Sequence, residues 1–327
     1  MPQPNVRDLI VAGPLANVSI AYRNKNYIAD RVFPLLNVEP KAKVAKYNKG
    51  AWFRDEAGYR APGTRAKRGG YPVSYVDIST KENAYAKEVT DEDREDAAVP
   101  GAPPLKPDQD AIEFCSDKLD MRREVMVAAA IVGSSAVWSG LTGGESAGGL
   151  WAAGAGNTFI DDIEYRLEYI RSQTGIRPNI LIMSANTLSE IKKEATVIDR
   201  YKYVQPGKVT AALIAALFDL DEVIIGDAVK STAREAADGN DFSAQDIWEQ
   251  TAGKGSAWLG YRPPAAGLKT PCSGYQCRKR YGNGQLRKIS TWREAAEHQD
   301  VYEVAEEIHV VQTCSDLGFL WNNTIAT

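Results

Sequence analysis

Gly144-Glu-Ser-Ala-Gly148 has the Gly-x-Ser-x-Gly form in which a serine on a sharp turn attacks an acyl carbon. That chemistry needs a base, and the two histidines, His298 and His309, stand far along the chain. It also needs a strand before the serine and a helix straight after it, to strain and expose the hydroxyl. Both flanks are Gly- and Ala-rich here, a composition in which the pattern arises easily by chance. The wider run Gly140 to Gly149 looks like a phosphate loop only superficially. It lacks the Gly-Lys-Ser/Thr ending and follows a predicted helix where a phosphate loop follows a strand. Cys272 and Cys277 enclose four residues, not the two of most zinc knuckles, and Cys115, Cys314 and the histidines complete no ligand set. The cysteines read as reduced thiols of a cytosolic product. Adjacent acids such as Asp161-Asp162 and Glu306-Glu307 diverge or cap and need no chemistry. The expectation is therefore no catalytic residue, no metal and no cofactor, and a protein that is not an enzyme.

Tyr275-Gln-Cys-Arg-Lys-Arg-Tyr-Gly-Asn-Gly-Gln-Leu-Arg-Lys288 interleaves aromatics with base, as a surface tracking phosphates does. A nucleic-acid-binding module using 275–288 is accordingly an alternative. Against it, the 327-residue chain carries a net charge of -4, and one basic stretch in an acidic protein more often forms a solvated loop or a subunit contact. With 44% hydrophobic and 25% charged residues the composition is ordinary globular material. No apolar run approaches the length of a membrane span, and Met1 to Ile10 carries no secretory signal.

The elements that would position these groups follow in order. Residues 1–40, interrupted by Pro2, Pro4, Pro14, Pro34 and Pro40, read as an extended arm with a short helix near Ala21 to Asp30. Strand signals at Val44 to Tyr47, running on to Trp52-Phe53, and at Tyr71 to Ile78 flank a long polar tip, Arg54 to Gly70. Arms of this length would reach about 40 Å, and a free two-stranded ribbon is marginal in water, so it persists only when laid on another surface. Its arginines and flanking aromatics are types favoured at protein contacts. Trp52, Arg54, Arg60, Arg65, Lys67 and Arg68 are the candidate inter-subunit contact residues.

After a proline-rich break, Asp108 reads as the cap of a helix over 109–132, with Ile112, Cys115, Leu119, Arg122 and Met126 on one face. A Gly- and Ala-rich linker leads to Thr158-Phe-Ile-Asp161, which has capping-box form and opens a helix to about Gln173. A strand at Ile180 to Met183, a helix from about 185 to Glu194, a helix at Val209 to Phe218 and a strand at Glu222 to Ile225 describe a compact α/β unit. After a polar loop, Ala236 to Asp246, short strands are expected at Ile247-Trp248 and at Ser256 to Tyr261. In the tail, Tyr302, Val304, Ile308 and Val310 share one side of a strand and Glu306 breaks that side.

This order resembles the HK97-type major capsid proteins of tailed bacteriophages. Local echoes are Gly175-Ile-Arg-Pro-Asn-Ile-Leu-Ile-Met-Ser184, Phe218-Asp-Leu-Asp-Glu-Val-Ile-Ile-Gly-Asp-Ala228 and Ser256-Ala-Trp-Leu-Gly-Tyr-Arg-Pro-Pro264, the last preceded by Ile247-Trp248. The resemblance implies an α+β chain: an N-terminal arm at 1–40, an extended β-hairpin loop at 41–80, a peripheral domain at 81–175 with 300–327 built on spine helix 109–132, and an axial domain at 176–299. It implies self-assembly into hexamers and pentamers of an icosahedral shell enclosing double-stranded DNA, with the loop lying across a neighbour. Implied partners are other copies of the chain, a portal protein, a separate scaffold, a cement or decoration protein, and packaged DNA touched without sequence specificity. The expected location is the virion, assembled in the host cytoplasm, with no membrane. The modest negative charge suits a container that must not stick to its contents. An encapsulin-like shell of the same fold is the other alternative.

Overall fold

The computed structural model describes residues 24, 26–99, 105–133, 138, 145–154, 156–201, 209–234, 242–267, 269–281 and 284–325. Most of the expected N-terminal arm, the Gly140–Gly144 half of the glycine run and most of the polar loop after 235 lie outside the described residues.

Helix α1 (Ala29–Val32) and strand β1 (Leu35–Asn37) lead into the ribbon, whose arms are β2 (Lys41–Tyr47) and β3 (Val73–Ser79). The arms pair antiparallel from Lys41 opposite Ser79 to Tyr47 opposite Val73. Seven residues per arm give about 23 Å of paired ribbon, shorter than expected. The difference arises at Trp52, which closes a one-turn helix, α2 (Lys49–Trp52), where strand was expected. The Asn48 side chain ends the strand by accepting the Ala51 N–H at 3.1 Å.

Strand β4 (Lys81–Thr90) passes directly into α3 (Asp91–Ala97), because the Thr90 hydroxyl accepts the Asp93 N–H at 3.2 Å and three acids occupy the first turn. The long helix, α4 (Pro107–Ile131), starts on proline at its first position, where no N–H is needed. Asp108 is not its cap. Its carboxylate instead accepts from Arg94 Nε at 3.0 Å and Nη2 at 2.8 Å. The expected stripe holds over Cys115 and Leu119, then drifts to Glu124, Val127, Ala128 and Ile131, leaving Arg122 exposed. The drift follows a change of partner, since the first half packs on one sheet and the second half on another.

Beyond β5 (Glu145–Ser146) comes α5 (Phe159–Thr174), closed by Gly175 at φ 70. Thr158 does not form the capping box: its hydroxyl bonds to Asp162 at 2.7 Å, and Asn157 takes the Phe159 N–H at 2.9 Å. Then follow β6 (Ile180–Ser184), α6 (Ala185–Ile191), α7 (Ala195–Tyr201), α8 (Ala211–Phe218), β7 (Glu222–Gly226), the short hairpin β8 (Val229–Ser231) and β9 (Ala244–Asp246), and β10 (Ser256–Gly260). Ile247-Trp248 is a turn, not a strand, held by burial of both side chains. The last strands are β11 (Gly274–Arg278), β12 (Lys288–Glu294), β13 (Gln299–Gln312) and β14 (Gly318–Asn322).

Among the described residues two five-stranded sheets dominate. The first has the order β5-β14-β10-β6-β7. Its strands alternate faces with period two: Leu181, Met183, Leu259, Phe319 and Trp321 pack with α5, α6 and α8. Ile180, Ile182, Trp258 and Leu320 turn to α1 and the end of α4. The second sheet runs β1-β11-β13-β12, with β4 along the other side of β13. The strands are thus grouped differently from the sequence reading. Residues 318–322, read with the 300–327 tail, join the sheet of β6 and β7, whereas β11 and β12, read with 176–299, pair with β13. Pairing between segments distant in sequence decides this, and periodicity carries no information on partners.

Candidate inter-subunit surface

The fold leaves the outer ribbon uncovered: every residue from Trp52 to Tyr75 is exposed. Its base is fixed by aromatics. The Tyr47 and Trp52 rings meet edge to face at 6.2 Å, and Tyr71 lies 5.6 Å from each. Lys269 sits over Tyr47 at 5.5 Å and over Trp52 at 5.4 Å. Lys49 reaches Asp316 at 2.8 Å, and the Phe53 ring lies so close to Gly175 that an added Cβ would approach it to 3.3 Å. Chain 47–53 is therefore moored on its own subunit and the tip is not.

Of the six candidate contact residues, Trp52 belongs to the moored base and stays 55% exposed. Arg54 stands 3.9 Å from Glu56 within the tip. Arg60, Arg65, Lys67 and Arg68 lie exposed along the tip, and among the described residues no ion pair holds them. Tyr59, Tyr71 and Tyr75, which the charge pattern passed over, are exposed beside them. Their signal was the aromatic flank.

The basic stretch 275–288 is built differently from a phosphate-tracking surface. Tyr275 to Arg278 form β11, buried on both faces. Arg278 is paired with Glu306 at 2.8 Å, both almost wholly buried. Arg287 Nε donates to the same carboxylate at 3.0 Å and its Nη2 reaches Asp120, while Lys279 pairs with Glu307. Glu306 therefore does not break the tail's buried side; it lies between Val304 and Ile308 as the counter-charge of β11.

Ser146 lies in β5 and is followed by a turn with Gly148 and Gly149 at positive φ, not by a helix. Its hydroxyl accepts from the Gly148 N–H and the Asn323 amide, each at 3.3 Å. His309 stands opposite Cys277 in the other sheet and His298 in the turn before β13, so the fold assembles no triad from these residues. All four cysteines are free, and burial pushes the Cys272 thiol up to about 12 and Cys277 up to about 11. Among the described residues no cluster of His, Cys, Asp and Glu suits a metal, and no helix is long and apolar enough to cross a membrane.

Sequence reasoning missed Glu124. This carboxylate, wholly buried in the middle of α4, accepts the Ile28 and Ala29 N–H groups at 3.0 and 2.8 Å and the Trp248 indole N–H at 2.6 Å. It joins the entry of α1, the long helix and the 247–248 turn at one point.

No family model matches the chain. The major capsid protein of Burkholderia phage BcepMu is 26% identical over 242 residues, which are 73% of this chain and 74% of that protein. Among solved structures, a phage-related protein from Bordetella bronchiseptica RB50 superposes with a TM-score of 0.68 at 19% identity, covering 94% of this chain and 95% of that one. The capsid of cyanophage P-SCSP1u follows at 0.61 and 12% identity, with 97% and 93% covered. An encapsulin from Synechococcus elongatus PCC 7942 reaches 0.50 at 10% identity, with 95% and 93% covered.

Proposed function

We propose that this chain, whose fold is that of the HK97-type capsid proteins, is the major capsid protein of a bacteriophage and builds an icosahedral shell from copies of itself. The observation that carries the reading is likeness along the whole chain: shell proteins match more than nine-tenths of both partners, and the curated relative is a capsid protein. The phage reading is favoured over the encapsulin one because the phage capsid superposes more closely, 0.61 against 0.50.

In this reading β6, β7, β10 and their helices form the axial domain, and β4, β13 and α4 the peripheral one. The ribbon tip supplies what a subunit on its own cannot satisfy. Four cations without an ion pair among the described residues, set among exposed tyrosines, are laid over a neighbour, with Arg60, Arg65, Lys67 and Arg68 finding carboxylates there. Many modest contacts, repeated around rings of five and six, hold the shell by avidity and let misplaced subunits leave. Portal, scaffold and decoration proteins are the further partners, DNA is touched without sequence recognition, and assembly takes place in the host cytoplasm.

Negative-stain microscopy of the purified full-length chain, with size-exclusion chromatography, tests this. Rings, sheets or closed shells are the expected outcome. A homogeneous monomer that ignores salt, crowding and added scaffold would overturn it.

A further inference from the structure

Two cysteines stand where the chain crosses between its sheets. It passes from β10 to β11 through residues 261–273 and from β13 to β14 through 313–317. Cys272 lies at the end of the first crossing and Cys314 near the start of the second. The ladder of β11 and β13 pairs Gly274 with Gln312, and the Thr313 N–H donates to Ser273 O at 3.1 Å. One step further out, just beyond the ends of the two strands, stand Cys272 and Cys314. Antiparallel backbones held side by side bring neighbouring Cα atoms to about 4.5–5.5 Å, within the roughly 4.4–6.8 Å that a disulfide spans.

Other contacts hold the two crossings together. Thr313 Oγ1 donates to Cys272 O at 2.6 Å, and Ser273 Oγ donates to Leu317 O at 3.0 Å. Burial raises the Cys314 thiol, and the nearby backbone N–H of Cys272 works against that rise. Lys49 of the ribbon base binds Asp316 in the second crossing, so ribbon and both sheets meet here.

We propose that Cys272 and Cys314 form a disulfide after the particle leaves the reducing cytoplasm, a covalent latch over the joint between the two sheets. The timing rests on the shell reading; the pairing rests on the contacts that hold the two crossings side by side. The oxidant is a low-molecular-weight disulfide. Cys314, the partly exposed thiol, attacks it as thiolate, forms a mixed disulfide and releases one small thiol. Cys272 then attacks the Cys314 sulfur and displaces the second small thiol. Two cysteines lose two electrons and two protons, and the external disulfide is reduced to two thiols. Burial raises both thiols and keeps thiolate scarce, so closure is slow inside the cell and slow to reverse outside it.

The full-length chain, assembled and unassembled, is incubated with oxidised glutathione or with reductant, alkylated, digested with trypsin and analysed by mass spectrometry without reduction. The expected product links peptide 270–278 to peptide 294–327. It persists in Cys277→Ser, which shares the first peptide, and disappears in Cys272→Ser and in the more exposed Cys314→Ser. Oxidised samples unfold about 5 °C higher than reduced ones. Full alkylation of both thiols after oxidation, or a link carried by Cys277, overturns the proposal. Microscopy of the same samples reports on the shell separately: shells without the link overturn the latch alone, and a linked chain that never assembles overturns the shell reading and with it the timing.

Discussion

At Glu124 one carboxylate replaces the missing hydrogen-bond partners of a helix start. The first N–H groups of a helix have no partner within it, and those of Ile28 and Ala29, buried under α4, have no water to turn to. Glu124→Gln offers one acceptor oxygen to three donors and is expected to cost about 2–3 kcal/mol in a denaturant titration. Burial raises this carboxyl above the usual range, so the folded chain holds the proton more tightly than the unfolded one. Its contribution is full below the ordinary value of 4.5 and falls as pH rises through the folded value. The gap in unfolding temperature between wild type and Glu124→Gln should therefore be widest at acid pH and narrow on raising it; parallel profiles would remove the argument. Arg278 and Glu306, 4% and 2% exposed at their side chains, make a second residue-scale test. Arg278→Ala leaves a buried carboxylate short of its counter-charge and is expected to cost about 3–5 kcal/mol, whereas Arg278→Met with Glu306→Leu restores much of it. A double variant as unstable as the single one would show that the pair is not acting through its charges.

At the scale of elements, the ribbon divides into a moored base and a free tip, and the two should respond differently to change. Replacing 54–70 with a short glycine-containing turn removes only exposed residues, so the subunit's unfolding free energy should move by no more than about 0.5 kcal/mol. Shell formation should be lost. A shortened chain that still closes shells of normal size would show that the tip is not a contact. The same contrast explains what the sequence disclosed. Strand, tip and long helix were readable because alternation, a polar run and helical spacing are local signals, although Pro107, read as part of the break, is where the helix starts. Trp52 was misread as strand because Asn48, three residues before Ala51, caps a helical turn that strand propensity hides. The membership of β14 and β11 was not readable, since their partners lie far away in the chain. Glu124 was invisible because an acid in a helix reads as a solvated face until the donors around it are known. Of the proposed contact surface, the cationic tip was visible in the sequence and the mooring by Lys49 and Lys269 was not, because Asp316 and the 261–273 crossing come near only on folding.

Over the whole molecule, 39 cationic side chains stand against 43 acidic ones, and where the cations sit matters more than their number. A container for DNA needs an inner face on which a polyanion can slide and pack, so a continuous basic track would hinder it. Three of the five cations of the basic stretch are drawn into ion pairs, Arg278, Lys279 and Arg287 with Glu306, Glu307 and Asp120, while Arg280 and Lys288 stay exposed. The remaining concentration of base lies on the ribbon tip, where the shell reading places it against a neighbouring subunit. In the shell reading both arrangements would lower the affinity of an assembled particle for its contents. The full-length chain should therefore bind double-stranded DNA no more tightly than about 10⁻⁵ M at physiological salt, with a salt slope of about three phosphates or fewer. Assembled shells should bind more weakly than free subunits if, as proposed, assembly covers the tip. Fluorescence anisotropy with a labelled duplex, repeated over a series of salt concentrations on both forms, measures this. Tight binding by the free chain with a slope of six or more phosphates, unaffected by removal of 54–70, would mean that 275–288 opens to meet nucleic acid and that its ion pairs are a store of binding groups instead of a structural core.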